Sequence, residues 1–150
     1  MSTAKSGPEI LIVEDNPGDV DLIQHFVATW GNSPILQFVS NGADAIQYLR
    51  REGPFAKAMT PAFIVLDLNL PKLGGHEVLE AVKADPKLRH IPIAVFTSSE
   101  SERDILISHQ LHANCYLVKP LDMNQYRRIF DQIYEFWFTT ARLPHKAYEE

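Results

Sequence analysis

Short apolar runs alternate with stretches of helical period from residue 10 almost to the end of the chain, and no other feature limits the fold so tightly. The runs 10–13, 35–40, 62–67, 91–97 and 115–119 are rich in branched and aromatic residues and poor in polar ones, as strands buried on both faces are. Between them apolar residues recur at helical spacing. Val20, Ile23, Phe26, Val27 and Trp30 precede Gly31, and Ala43, Ile46, Tyr48 and Leu49 precede Gly53 and Pro54. Val78, Leu79 and Val82 mark a third helix, Ile105, Leu106 and Leu111 a fourth, and 122–138 a fifth. Five strands alternating with five helices predict an α/β fold with a parallel sheet covered on both sides. A chain of 150 residues suits one domain, here a tail at 1–8, a domain over 9–138 and a C-terminal extension at 139–150.

Composition narrows the function. A formal charge of −5 argues against a nucleic-acid partner, since such proteins show a basic face. No segment approaches the roughly 18 consecutive apolar residues of a membrane span. One cysteine, Cys115, excludes an internal disulfide, and the polar start 1–9 lacks the apolar stretch of a signal peptide, so a cytoplasmic setting is expected.

In open parallel sheets the ligand site lies beyond the carboxyl ends of the strands, where their order reverses. The first strand ends in Glu14 and Asp15, the third in Asp67, the fourth in Thr97 and Ser98, and the fifth in Lys119 and Pro120. Singly, each acid has an ordinary reading, Glu14 and Asp15 as helix caps and Asp67 as a loop acid. Together they crowd one rim. Two carboxylates about 5 Å apart repel by roughly 3 kcal/mol at an effective dielectric near 20. A divalent cation plus Lys119 would balance Glu14, Asp15 and Asp67, and hard oxygen ligands in small number favour Mg²⁺. A carboxylate fixed on a strand can then attack phosphorus, because phosphoryl transfer needs mainly positioning and charge neutralisation. Asp67 is the expected acceptor. The irregular stretch from Asn69 through Pro71 to Gly75 brings backbone groups close to it.

The acidic pair Glu14-Asp15, the pattern Asp67…Pro71…Gly75, then Thr97 and Lys119-Pro120 resemble the motifs of response-regulator receiver domains, and the resemblance covers residues 9 to about 138. It implies the flavodoxin-like receiver fold, doubly wound with strand order 2-1-3-4-5. It also implies phosphoryl transfer from a sensor histidine kinase to Asp67, with the protein assisting its own phosphorylation and dephosphorylation. Mg²⁺ would be bound by Asp15, Asp67 and the Asn69 carbonyl, with Glu14 acting through water. Lys119 would contact the phosphoryl group, and a cis peptide would precede Pro120. A switch is implied in which the Thr97 hydroxyl moves toward the phosphoryl and an aromatic, here Tyr116, turns inward; an ordinary strand aromatic is the other reading of Tyr116. One departure from the family pattern is His112-Ala113, where a Gly-Ala pair is usual. The stretches 67–75, 111–119 and 135–144 resemble more narrowly the stand-alone regulators of bacterial and cyanobacterial phytochrome kinases, for which no output domain is expected.

The last helix carries more aromatics than one buried stripe needs. Tyr126, Phe130, Tyr134 and Trp137 are therefore expected to form a homodimer interface, unless Leu143 and the tail fold back over them. Other functions fit less well. A phosphatase of this chemistry wants a second acid two residues after the nucleophile, where Asn69 stands. A flavin site would need a phosphate loop after the first strand, where the acids would repel it. Docking without phosphorylation and service as a phosphate sink for the kinase are the remaining alternatives. Zinc on His109, His112 and Cys115 lacks a fourth ligand. The segment 15–21 lacks the glycine and glutamate of a calcium loop.

Overall fold

Alternation along each strand decides which face a side chain covers. Leu11 and Val13 point to one side of the sheet and Ile10 and Ile12 to the other, and each set joins a separate apolar cluster. The computed structural model describes residues 7–144. Its strands are β1 (Glu9–Val13), β2 (Ile35–Val39), β3 (Phe63–Leu66), β4 (Ile93–Thr97) and β5 (Cys115–Val118). The helices are α1 (Pro17–Val27), α2 (Gly42–Arg50), α3 (Gly75–Ala84), α4 (Glu102–Gln110) and α5 (Met123–Glu135). All strand pairs are parallel and their order is β2-β1-β3-β4-β5, as expected from the resemblance.

Ala45, Tyr48 and Leu49 of α2 and Val78, Leu79 and Val82 of α3 cover one face over Leu11, Val13, Ile64, Leu66, Ile93 and Val95. Ile23, Phe26 and Val27 of α1 and Tyr126, Phe130 and Ile133 of α5 cover the other, over Ile10, Ile12, Phe63, Val65 and Phe96. Burying each such side chain contributes about 1.5–3 kcal/mol. Four helices start on a capping side chain, namely Asn16, Asn41, Ser101 and Asp122, while α3 starts with Glu77 reaching back to the Gly74 N–H at 3.0 Å. The cap of α1 is thus Asn16, which leaves Glu14 and Asp15 for another role.

Two of the four residues expected at the dimer face, Tyr126 and Phe130, are not available to a partner, while Tyr134 and Trp137 stay partly exposed. Tyr126 and Phe130 lie inside, with 4% and 1% of their surface exposed, because α5 turns its strongest apolar stripe onto Phe96. Beyond Glu135 the helix widens into a π-helical turn, Phe136–Thr140, which spans the expected boundary at residue 139. In that turn the consecutive rings of Trp137 and Phe138 both reach Phe63, at 5.3 and 5.4 Å between centroids. Tyr134 packs on Trp30 at 5.2 Å, and Leu143 folds against the same cluster. Tyr134, Trp137 and Phe138 thus pack, partly buried, against the chain's own core, while Phe136 stays exposed. Residues 145–150 of the expected extension and 1–6 of the expected tail lie outside the described residues.

His112, where the family pattern has glycine, takes a left-handed backbone with φ 72°. Histidine is among the residues that tolerate this region, at a cost of about 1–2 kcal/mol. Its side chain is exposed. His112→Gly is therefore expected to stabilise the protein by up to about 1 kcal/mol, since glycine removes the strain but brings about 0.5–1 kcal/mol of extra chain entropy. Urea melts of the two proteins measure it, and a destabilised variant would mean that His112 makes a contact worth more than its strain.

Candidate functional site

The rim follows from the register. Val13 pairs with Leu66, so the next residues, Glu14 and Asp67, leave the sheet side by side at the point where strand order reverses. Backbone bonds hold both ends, Glu14 N–H to the Val39 carbonyl at 3.0 Å and Asp67 N–H to the Val13 carbonyl at 3.1 Å. Thr97 pairs with Val118, and the Lys119 N–H donates to the Thr97 carbonyl at 2.7 Å. Lys119 is thereby delivered to the same rim.

Glu14, Asp15 and Asp67 each offer one oxygen within 4.8 Å of the others, the one such grouping of potential metal ligands among the described residues. Glu14 and Asp67 are nearly enclosed and Asp15 is exposed. Three carboxylates with one open side suit a hard divalent cation that keeps some of its water. Asn69 stands beside them, its N–H donating to Asp67 Oδ1 at 3.3 Å. This donor set fits Mg²⁺. The histidine–cysteine triplet considered for zinc forms no such group.

Lys119 sits at the centre. Its Nζ lies 2.8 Å from Glu14 Oε1, 2.9 Å from Asp19 Oδ2 and 3.0 Å from Asp67 Oδ2, and 5.9 Å above the ring centre of Phe96. Burial works against its charge, but hydrogen bonds to Glu14 and Asp19 and the charge of Asp67 outweigh it and hold Lys119 above its ordinary range. Burial, and then the Asp67 charge, push the Glu14 carboxyl up to about 7 despite the bond to Lys119. In this pair the lysine is the partner whose charge is secure.

Thr97, fully buried, accepts from the Ser99 N–H at 3.4 Å, and Tyr116 donates its hydroxyl to the Ser99 carbonyl at 2.9 Å. Ser99 also donates to Asp104 Oδ2 of α4 at 2.6 Å. The two expected switch residues thus meet on one loop residue that the sequence reading passed over. Pro120 follows Lys119 by a trans bond, where the resemblance implied cis; trans is the isomer that X–Pro bonds favour by about 0.5–1 kcal/mol.

Asp19 was missed, and Tyr126 was expected at a dimer face rather than here. Asp19, in the first turn of α1, accepts from Lys119, and Tyr126 of α5 donates to Asp19 Oδ1 at 2.8 Å. The charge count changes with them. Glu14, Asp15, Asp19 and Asp67 carry −4 when ionised, which a divalent cation and Lys119 reduce to −1 rather than to zero.

Behind the rim, Gly75 lies so close that a Cβ there would stand 2.3 Å from the Asp67 carbonyl oxygen. The loop between them is pinned by α2, whose Gly42 and Ala43 N–H groups donate to the Pro71 and Lys72 carbonyls at 3.3 and 2.9 Å. Lys72 and Leu73 are held there at φ 50° and 97°. At the other flank a groove of about 670 Å³ opens between the β5–α5 loop and α5, lined by Val118, Pro120, Leu121, Arg128 and Ile129 among others.

Comparison with known proteins shows the family. Residues 10–131 match the family model described as the response regulator receiver domain. The structure of the phosphorylated cyanobacterial phytochrome response regulator RcpA is 44% identical, covers 93% of this chain and 100% of its own, and superposes with a TM-score of 0.91. That of response regulator Rcp1 in its Mn²⁺-bound form is 37% identical over 92% of this chain and 99% of its own, with a TM-score of 0.89. A Synechocystis regulator of the same name is 37% identical over 96% of this chain and 99% of its own length. The receiver domain of a Pseudomonas aeruginosa sensor histidine kinase, with magnesium in its active-site cleft, is 28% identical over 85% of this chain and 97% of its own, with a TM-score of 0.66.

Proposed function

The chain belongs to the response regulator receiver domain family and is a signalling protein of the phosphorelay type, and from that premise we propose that it takes a phosphoryl group onto Asp67 from a histidine kinase of the phytochrome class. The observation that carries the reading is the meeting of Glu14, Asp15, Asp67 and Lys119 at one rim, with the Lys119 ammonium 3.0 Å from the acceptor carboxylate. The kinase class rests on the likeness to regulators described as phytochrome partners. No helix among the described residues is long and apolar enough to cross a membrane, and a cytoplasmic setting is part of the proposal, supported by the unpaired Cys115.

Glu14, Asp15 and Asp67 would hold Mg²⁺, with the Asn69 carbonyl completing the protein's share. The metal supplies neutralisation of phosphoryl charge. The chain's own residues do the rest. An Asp67 carboxylate oxygen attacks phosphorus along the open side of the rim, while the bond to the donor breaks and the leaving atom keeps its electron pair. Lys119 offers N–H groups to the phosphoryl oxygens, and the Thr97 hydroxyl, at the end of the neighbouring strand, would follow them. Tyr116, Ser99 and Asp104 then carry that displacement into α4. Leu121 stands exposed in the lining of the groove, and with Met123, exposed two residues on, it offers an apolar seat to a kinase helix. A dimer through Tyr126 and Phe130 forms no part of this reading, since both residues are spent inside the fold.

The test is incubation with acetyl phosphate and Mg²⁺, read by intact mass. One phosphoryl per chain is expected, mapped to Asp67 by borohydride reduction and peptide mass, and none once a chelator is present. Labelling at another residue, or labelling that persists in chelator, would defeat the proposal.

A further inference from the structure

Lys119 has three N–H donors, and in this structure all three are taken by carboxylates, those of Glu14, Asp19 and Asp67. A phosphoryl oxygen arriving on Asp67 must displace one of them. Glu14 is fixed, its side chain 2% exposed and its second oxygen occupied by the Asn16 N–H. Asp67 is the atom set that the phosphoryl joins. Asp19 remains, the most exposed of the three partners at 17%. Yet Asp19 is not loose. Its other oxygen accepts from Tyr126, whose ring is wedged between Phe26 of α1, Phe96 of β4 and Phe130 of α5. Burial and the Asp19 carboxylate keep that phenol protonated, so it stays a donor.

On the reading that Asp67 is the acceptor, we propose that Asp19, clamped by Tyr126, is a latch that holds Lys119 away from the incoming phosphoryl group. Its release couples phosphorylation to the packing of α1 against α5. In the step concerned, the P–O bond of acetyl phosphate breaks, acetate leaves with the electron pair, and a P–O bond to Asp67 forms. In the same step Lys119 exchanges one hydrogen bond, from Asp19 Oδ2 to a phosphoryl oxygen. Asp19 and Tyr126 touch neither phosphorus nor acceptor and are positioning residues. Their route runs to the α1–α5 side of the sheet, separate from the Thr97–Ser99–Tyr116 route to α4.

Tyr126→Phe removes one hydroxyl and leaves the ring in place, and Asp19→Asn keeps the side chain's shape while weakening its hold on Lys119. Both are expected to take up phosphoryl from acetyl phosphate at least threefold faster than the wild type at saturating Mg²⁺. A merely structural role predicts the opposite, slower uptake with a lowered melting temperature, so melts accompany the rates. The pair also separates mechanism from charge, because Tyr126→Phe changes no charge. Acceleration in Asp19→Asn alone would reduce the effect to electrostatics and overturn the latch. So would slower or unchanged uptake in Tyr126→Phe. Backbone amide shifts give a second readout: on phosphorylation residues 18–20 and 123–127 should move in the wild type and move less than half as far in Tyr126→Phe, and equal shifts would count against the coupling. If the wild type itself takes up no phosphoryl, the assignment of Asp67 fails; if it does and the variants match it, only the latch fails.

Discussion

Asp67→Asn is expected to lower phosphoryl uptake at least a hundredfold while leaving the metal-free protein as stable as the wild type or about 1 kcal/mol more so. The amide cannot serve as nucleophile at neutral pH, which accounts for the first effect. The second follows from crowding. Asp67 is drawn to Lys119 at 3.0 Å but faces Glu14 and Asp15 within 4.8 Å, and at an effective dielectric near 20 each such repulsion is about 3 kcal/mol. Removing one charge also relieves Glu14, whose raised carboxyl owes part of its displacement to Asp67. Magnesium separates the proteins further. At about a hundred times its dissociation constant a ligand stabilises the fold by about 2.7 kcal/mol. The variant, short of one metal ligand, should keep less than half of that. Thermal melts in chelator and in Mg²⁺, beside the uptake assay, read all three effects. A variant labelled as fast as the wild type places the acceptor elsewhere, and one with a full magnesium response places the metal elsewhere.

Lys119→Ala should have the largest effect on stability. It takes away the one cation that touches Glu14, Asp19 and Asp67, leaving two nearly enclosed carboxylates with no positive partner among the described residues. Removing one member of a buried ion pair costs about 3–5 kcal/mol. The loss is expected near the lower end in chelator, because Glu14 can accept a proton, and Mg²⁺ should recover at least half of it. Magnesium should bind no more weakly than in the wild type, since a competing cation has gone. Phosphoryl uptake should fall, and the response of α4 to phosphorylation should disappear with it. Lys119→Met, which keeps the aliphatic stem beside Phe96, isolates the charge from the packing. Weaker magnesium binding in Lys119→Ala would mean that the lysine organises the metal site rather than competing for it.

The meeting of Glu14, Asp15, Asp67, Thr97 and Lys119 was legible in the sequence because it depends on local periodicity and on where each strand stops, whereas the strand order came from the family resemblance. The roles of Asp19 and Tyr126 were not legible. The Lys119–Asp19 bond spans 100 positions and the Tyr126–Asp19 bond 107, and nothing local to either residue announces its partner. The surplus of aromatics in the last helix was visible, but its destination was not. A π-helical turn changes the angular spacing of side chains, so Trp137 and Phe138 both face inward where a regular helix would divide them between core and solvent. The backbone of His112 could be suspected from the missing glycine, and the residue adopts the left-handed region regardless.

The two flanks of the rim differ in stiffness. Behind Asp67, the close approach of Gly75 and the grip of Gly42 and Ala43 on Pro71 and Lys72 leave the chain no room to shift without a collision or a broken backbone bond. Across from it, Ser99 is held mainly through side chains that can let go one at a time. The acceptor flank therefore resembles an anvil, and a blow delivered at Asp67 is expected to be taken up by the softer shoulder opposite.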